Sequence, residues 1–168
     1  MKFLILGNFN ACCWKDVFPL LKANKVWLGA SGRNFYFSTD EGLKLINACW
    51  LTNLEHNQKN KPIHLTKNYT PDAYPKYDNY SAVECSKAKD IPYDYEGVIG
   101  VPLTFLTKYC TEQFEIIGIA CGNSWANYPE TLKSLRFNPD IKYGGGLGTA
   151  VLNGKAKYTR LFIRRKRV

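Results

Sequence analysis

Four consecutive apolar residues, Phe3-Leu4-Ile5-Leu6, stand between Lys2 and the pair Gly7-Asn8 at the head of the chain. The run does not alternate apolar with polar positions, so both faces of the segment favour burial. That pattern predicts a strand inside a parallel sheet covered by helices on both sides. An interior strand needs a neighbour on each edge to satisfy its backbone donors and acceptors. The sequence offers nothing ahead of it to supply one of those edges. The expectation is a chain that enters an α/β domain partway through its sheet.

The segments that follow extend this reading. Asn10 is placed to cap a helix over residues 14–24, whose apolar positions include Trp14, Val17, Phe18 and Leu21. Pro19 lies inside it and must kink or restart the helix, because it lacks an N–H and crowds the preceding turn. Lys25-Val26-Trp27-Leu28 reads as a strand ending at Gly29. Ser31-Gly32 reads as a turn, Arg33 to Phe37 as an aromatic strand, and Asp40-Glu41-Gly42 as its break. Ala48 to Leu54 reads as the returning strand. These pieces predict a strand, a helix and antiparallel strands closing one edge of a sheet.

Residues 57–96 change character. Lys59, Lys61, Lys67, Lys76, Lys87 and Lys89 are interleaved with Tyr69, Tyr74, Tyr77, Tyr80, Tyr93 and Tyr95, and four prolines punctuate the segment. Aliphatic residues are too few here for an independent core, so the segment reads as a long loop held by aromatic anchors. Lysines among tyrosines suit phosphate contact and base stacking. The competing reading is an excursion whose tyrosines simply pack on the sheet. Regular structure returns with strands at 97–102 and 114–119, separated by a short helix at 103–109. A helical turn or two is expected over 131–136, and a flexible glycine turn over 144–148. Ala150 to Leu152, Asn153-Gly154 and Tyr158 to Arg164 read as one hairpin, with Tyr158, Arg160, Phe162 and Arg164 on one face.

Charge separates the two ends of the chain. Of 23 Lys and Arg residues, seven fall between Lys155 and Val168, where there is no acid; the other 154 residues carry 16 basic and 14 acidic groups, a net of +2. A concentrated basic patch attracts polyanions through counterion release, although it also fits a solvated tail. The 45% hydrophobic and 14% aromatic content excludes a disordered chain. No apolar run approaches the roughly 18–20 residues of a membrane helix, and the first residues do not form a signal peptide. A cytoplasmic location with reduced thiols is therefore expected for the six cysteines. They show no ligand spacing, and only His56 and His64 could join them, so a zinc site is disfavoured.

No catalytic constellation stands out. The glycine run 144–148 lacks both a buried strand before it and a helix start after it, which a phosphate-binding loop needs. Glu55 and His56 are adjacent on a strand and point to opposite faces. Cys12 or Cys13 at a helix start would favour a thiolate, which leaves open an enzyme of another class.

Several runs, taken in order, carry a resemblance. They are Phe3 to Ala11, Phe18 to Lys22 with Val26 to Gly29, Trp50 to His56, Gly97 to Leu106, Gln113 to Gly118, and Asn153-Gly154-Lys155 leading to Arg160 to Lys166. Together they resemble the C-terminal half of the EcoRI-type adenine-specific DNA methyltransferases of bacterial restriction–modification systems. The resemblance implies an α/β fold: the C-terminal part of a Rossmann-like methyltransferase sheet with an antiparallel edge, plus a loop-rich target-recognition region. It makes residues 1–56 the distal part of the catalytic sheet and 57–168 the target-recognition region with its basic hairpin.

It also implies N6-methylation of adenine flipped from double-stranded DNA, with S-adenosylmethionine as the cofactor of the complete enzyme. The family's glycine-rich cofactor motif and Asn-Pro-Pro-Phe/Tyr motif are not in this sequence. Phe137-Asn138-Pro139-Asp140 departs from the second, with Asp140 where proline should stand. No catalytic or cofactor-binding residue carries over. The expected partners are double-stranded DNA and a separate N-terminal methyltransferase half, with no membrane, and the chain alone should be inactive. Groove or base contacts are expected from His64, Lys67 and Tyr69. Phosphate contacts are expected from Lys155, Lys157, Arg160, Arg164, Arg165 and Lys166. The alternative is a stand-alone nucleic-acid-binding module.

Overall fold

Apolar runs and turn residues distribute the chain over two compact units, Met1–Lys61 with Leu106–Tyr109, and Pro62–Phe105 with Cys110–Val168. The structure, a computed structural model, describes residues 1–122, 129–141, 146 and 148–166. The chain is a mixed α/β protein with several small sheets. Among the described residues, no helix is long and apolar enough to cross a membrane.

In the first unit, β1 (Leu4–Asn8), β2 (Trp27–Thr39) and β3 (Gly42–Thr52) form a sheet in the order β1-β3-β2. Every pairing is antiparallel, with Leu4 opposite Thr52 and Asn8 opposite Ala48. This corrects the expectation of parallel pairing on both sides of β1. The strand has one neighbour among the described residues, and Leu4, Ile5 and Leu6 stand 52%, 55% and 38% exposed. A four-residue apolar run specifies that both faces seek cover, but it does not specify which partner supplies it.

The expected helix over 14–24 divides in two. A 3₁₀ turn occupies Phe9–Cys13, and α1 occupies Phe18–Lys22. Asn8, not Asn10, is the cap: its Oδ1 accepts from Asn10 N at 2.8 Å. Pro19 sits in the first turn of α1, where its missing N–H removes no helical bond. Phe9, Ala11, Cys12, Phe18 and Leu21 are buried.

The two strands expected at 25–28 and 33–37 are one strand, β2, which returns as β3. The Ser31-Gly32 region is not a turn; the register with β3 slips between Leu28 and Arg33, and again before Phe35. An irregular ladder of this kind bends a strand without ending it. The reversal falls at Asp40–Glu41, with Gly42 at φ 111°, where a side chain would be strained. Phe35 meets Trp50 edge-on at 6.3 Å. Beyond that contact Tyr36, Phe37, Leu43 and Leu45 are exposed.

The second unit holds a mixed sheet in the order β4-β5-β9-β6, from Val83–Glu84, Ile99–Pro102, Arg160–Arg165 and Phe114–Ala120. β4 and β5 are parallel; β9 runs antiparallel to β5 and β6. The expected C-terminal hairpin is reorganised. β7 (Val151–Leu152) pairs with β8 (Lys155–Ala156) across Asn153-Gly154, and β9 leaves for the centre of the other sheet. Asn153 and Gly154, at φ 50° and 69°, match the left-handed turn such a hairpin needs.

Three loop tyrosines pack inward. Tyr74, Tyr77 and Tyr80 are buried, and the Tyr80 and Phe162 rings lie 4.7 Å apart in the core. Leu103–Lys108 is a 3₁₀ helix, and α2 spans Pro129–Ser134. Most of the glycine run 144–148 lies outside the described residues.

Candidate nucleic-acid interface

The basic strand is anchored by a buried charge. Glu84 ends β4 in the run Ala82-Val83-Glu84-Cys85 and is 5% exposed; Arg160 opens β9 and is 8% exposed. Arg160 Nε donates to Glu84 Oε2 at 2.9 Å, and Nη2 to Oε1 at 3.0 Å. Tyr77 OH and Ser86 Oγ also donate to this carboxylate, the latter at 2.8 Å. Burial by itself would raise the Glu84 pKa, but hydrogen bonds from Arg160, Tyr77 and Ser86 outweigh it and hold the carboxyl below its ordinary value. The Tyr77 hydroxyl is shifted upward, first by burial and then by the neighbouring Glu84 charge. The remaining arm of Arg160, Nη1, donates to the carbonyls of Tyr158 and Thr159 at 3.0 and 3.3 Å.

Arg160 is thus committed inside the unit. The sequence placed Tyr158, Arg160, Phe162 and Arg164 on one face, whereas Arg160 and Phe162 are buried and only Tyr158 and Arg164 are exposed. The central position of β9 explains this: both its faces and both its edges are covered where β5 and β6 flank it.

The other expected residues all belong to this second unit. His64 and Lys67 are exposed, as are Lys155, Arg164 and Lys166; Lys157 and Arg165 are half-buried. Tyr69 is half-buried and stacks on Tyr95 at 4.4 Å and on Tyr74 at 5.7 Å, so its ring is engaged inside the loop. Lys67 is tied to the loop by its carbonyl, which accepts from Tyr93 N at 2.9 Å.

Two side chains that sequence reasoning missed hold these segments in place. Asp94 accepts from Tyr69 N at 2.7 Å and from Asn68 Nδ2 at 3.2 Å. The Tyr69 N–H bond is the main reason that the Asp94 pKa is lowered. Asp78 accepts from Asn153 N at 3.3 Å and Gly154 N at 2.8 Å, fixing the turn that carries Lys155. A lone acid within an apolar run, as at Glu84, is the sequence signal of a buried pair. Asp78 and Asp94 carry no comparable signal.

A cavity of about 560 Å³ opens between these segments, with Lys67, Tyr74, Glu84, Ser86, Asp90 and Lys157 on its walls. Among the described residues, no cluster of three His, Cys, Asp or Glu side chains could hold a metal ion.

In the first unit, a Cys12 nucleophile and a Glu55–His56 dyad are disfavoured. The Cys12 thiol is buried and its pKa is pushed upward, first by the hydrogen bond with Cys49 and then by burial. That opposes the thiolate a nucleophile needs. Glu55 pairs with Lys59 at 2.8 Å, and His56 Nε2 lies 2.8 Å from the Leu28 carbonyl, so neither side chain faces the other as a catalytic dyad.

The chain is a two-unit mixed α/β protein whose second unit carries exposed basic residues at the outer end of an anchored strand. The comparison with known families makes the class definite. The model for the adenine-specific methyltransferase EcoRI matches residues 1–166, and the chain belongs to that family. It is 37% identical to the Type II methyltransferase M.EcoRI of Escherichia coli, over 99% of this chain and 51% of that protein. It is 31% identical to M.MgeORF184P of Mycoplasma genitalium and 30% identical to M.MpnI of Mycoplasma pneumoniae, covering 58% and 57% of them. The chain spans about half the length of these curated relatives. No solved structure matches it.

Proposed function

We propose that this chain is the C-terminal, DNA-recognising portion of a site-specific adenine N6-methyltransferase. The observation that carries the reading is the family match over residues 1–166, joined to a basic strand whose outer end displays Arg164, Arg165 and Lys166. In this reading Lys155, Lys157, Arg164, Arg165 and Lys166 contact phosphates of double-stranded DNA, and His64 and Lys67 approach a groove. Arg160 positions them, and Tyr69 orders the loop that carries Lys67.

The sheet order β1-β3-β2, with β3 antiparallel to both neighbours, supports placing the first unit at the far edge of a Rossmann-like methyltransferase sheet. The open edge of β1 would then pair with a strand of an N-terminal half, which would cover Leu4, Ile5 and Leu6.

The complete enzyme would use S-adenosylmethionine, which supplies the methyl group. The described residues do not fit that cofactor. β1 runs through Gly7-Asn8 into a 3₁₀ turn already capped by Asn8, and Asn138-Pro139-Asp140 is not the family's catalytic motif. No catalytic step is assigned to this chain, and by itself it should be inactive.

Two measurements test the reading. The purified chain should bind duplex DNA with a steep salt dependence and give no adenine methylation. Methylation should return when a separately made N-terminal half carrying the missing motifs is added. Robust methylation by the chain alone, or no duplex binding at low salt, would refute it.

A further inference from the structure

The sequence contains one Asn-Gly pair, Asn153-Gly154, and both residues are exposed at the tip of the β7–β8 hairpin. The pair is chemically labile. Asparagine is one of the thermolabile residue types, and glycine has no Cβ to shield its backbone nitrogen from the preceding side chain. Here the reacting nitrogen is held. Asp78 Oδ2 accepts from Gly154 N at 2.8 Å, and Oδ1 accepts from Asn153 N at 3.3 Å. Asp78 is itself fixed, because its own N–H donates to the Val151 carbonyl at 2.8 Å. The next residue, Asn79, is buried; it accepts from Val151 N at 2.9 Å and donates to the Thr149 carbonyl at 2.8 Å. The carboxylate therefore stays on the turn while this ladder is intact. Attack by the Gly154 nitrogen requires loss of its proton. Asp78 opposes that loss twice: the hydrogen bond must break, and an amide anion would form beside an existing negative charge.

We infer that Asn153 is a latent deamidation site and that Asp78 keeps it unreacted while the chain is folded. When the turn opens, hydroxide removes the Gly154 N–H proton and the nitrogen attacks Asn153 Cγ. The new C–N bond closes a succinimide ring, the Cγ–Nδ2 bond breaks, and ammonia leaves with a proton taken from water. Water then adds to either ring carbonyl and reopens the ring as aspartate or isoaspartate. The product sets a second carboxylate beside that of Asp78, one turn position before Lys155. Like-charge repulsion then loosens the hairpin, and the basic segment loses positive charge. This chemistry stands apart from the DNA-recognition reading and can be tested without DNA.

The chain is held in mildly alkaline buffer, and the peptide containing Asn153 and Gly154 is followed by mass as amide becomes acid. The parent is compared folded and unfolded in guanidinium chloride, beside folded Asp78→Ala and Asp78→Asn. A hydrogen bond to a charged group should slow the folded parent at least about tenfold relative to the unfolded chain. Asp78→Ala should recover most of that difference. Asp78→Asn keeps the side chain's shape and an acceptor but not the charge, so its rate should fall between the two. It decides the matter alone if Asp78→Ala does not fold by circular dichroism. Asn153→Asp, which carries the product's charge, should melt at a lower temperature than the parent. No conversion in the unfolded chain would overturn the inference, as would a folded parent that converts as fast as the unfolded one. Folded Asp78 variants that react as slowly as the parent would assign the protection to the turn itself and remove Asp78 from the proposal. An Asn153→Asp melting temperature equal to the parent's would contradict the loosening of the hairpin.

Discussion

Glu84 and Arg160, 76 residues apart in sequence, join through two hydrogen bonds of 2.9 and 3.0 Å in the interior of the second unit. The pair ties β4 at one side of the sheet to β9 at its centre, with β5 between them. It fixes the start of the strand whose far end carries the exposed basic residues.

Breaking this pair from one side should be costly. Arg160→Ala strands a buried carboxylate, and a loss of about 3–5 kcal/mol is expected in urea unfolding. Replacing both partners with apolar residues of similar volume should cost much less than the two single changes together. A loss below about 1 kcal/mol for Arg160→Ala would mean that the pair does not hold the strand.

The same carboxylate should shape the acid limb of stability. Its folded pKa is depressed, so its contribution is complete above its unfolded-state value and is lost as pH falls through the folded value. Stability should therefore drop below the ordinary glutamate pKa of 4.5. Glu84→Gln should be less stable at neutral pH and should flatten this slope. Urea melts between neutral pH and about pH 3 provide the check, and parallel curves for the two proteins would contradict it.

Gly100 lies under the Tyr77 ring, and a Cβ there would collide with it. Gly100→Ala should cost about 1–3 kcal/mol through overpacking, measured as a lower melting temperature. The shift should shrink in a Tyr77→Ala background, because the obstructing ring is then gone.

The exposed cations should act on DNA and hardly on the fold. Arg164→Ala and Lys166→Ala should each lower the salt slope of duplex binding by about 0.9, with stability within about 0.5 kcal/mol of the parent. Arg160→Lys should lower stability first. Unchanged salt slopes would remove the outer end of β9 from the interface.

The apolar edge of the first unit should show the opposite pattern. Ile5→Asp should alter the stability of the chain by no more than about 0.5 kcal/mol, because the side chain is exposed. It should abolish association with the N-terminal half. Co-purification that survives Ile5→Asp would move the docking surface elsewhere.

Much of the fold was legible where one residue type leaves little choice. Pro19 marked where a helix had to restart, and Asn153-Gly154 marked a tight hairpin turn. The interleaved tyrosines marked a long irregular segment, and three of them proved to be core. The candidate site was legible only in outline. Lys155, Arg164 and Lys166 are exposed as a basic tail requires, but Arg160 occupies the same alternation and is buried. Period-two spacing tells which residues share a face; it does not tell which face meets solvent. Asp78 and Asp94 escaped notice because each is held chiefly by backbone N–H groups distant in sequence, and those leave no trace in side-chain identity.

The sequence by itself determined the apolar strands, the turn positions, the segregation of positive charge and the family to which the chain belongs. Tertiary structure alone decided that β1 pairs antiparallel at an edge, that β9 leaves its expected hairpin for the centre of another sheet, and that Arg160 faces Glu84. The physical reason is range. Propensity, spacing and charge act between residues near in sequence, whereas strand order and buried ion pairs arise between residues tens of positions apart, whose proximity exists only once the chain has folded.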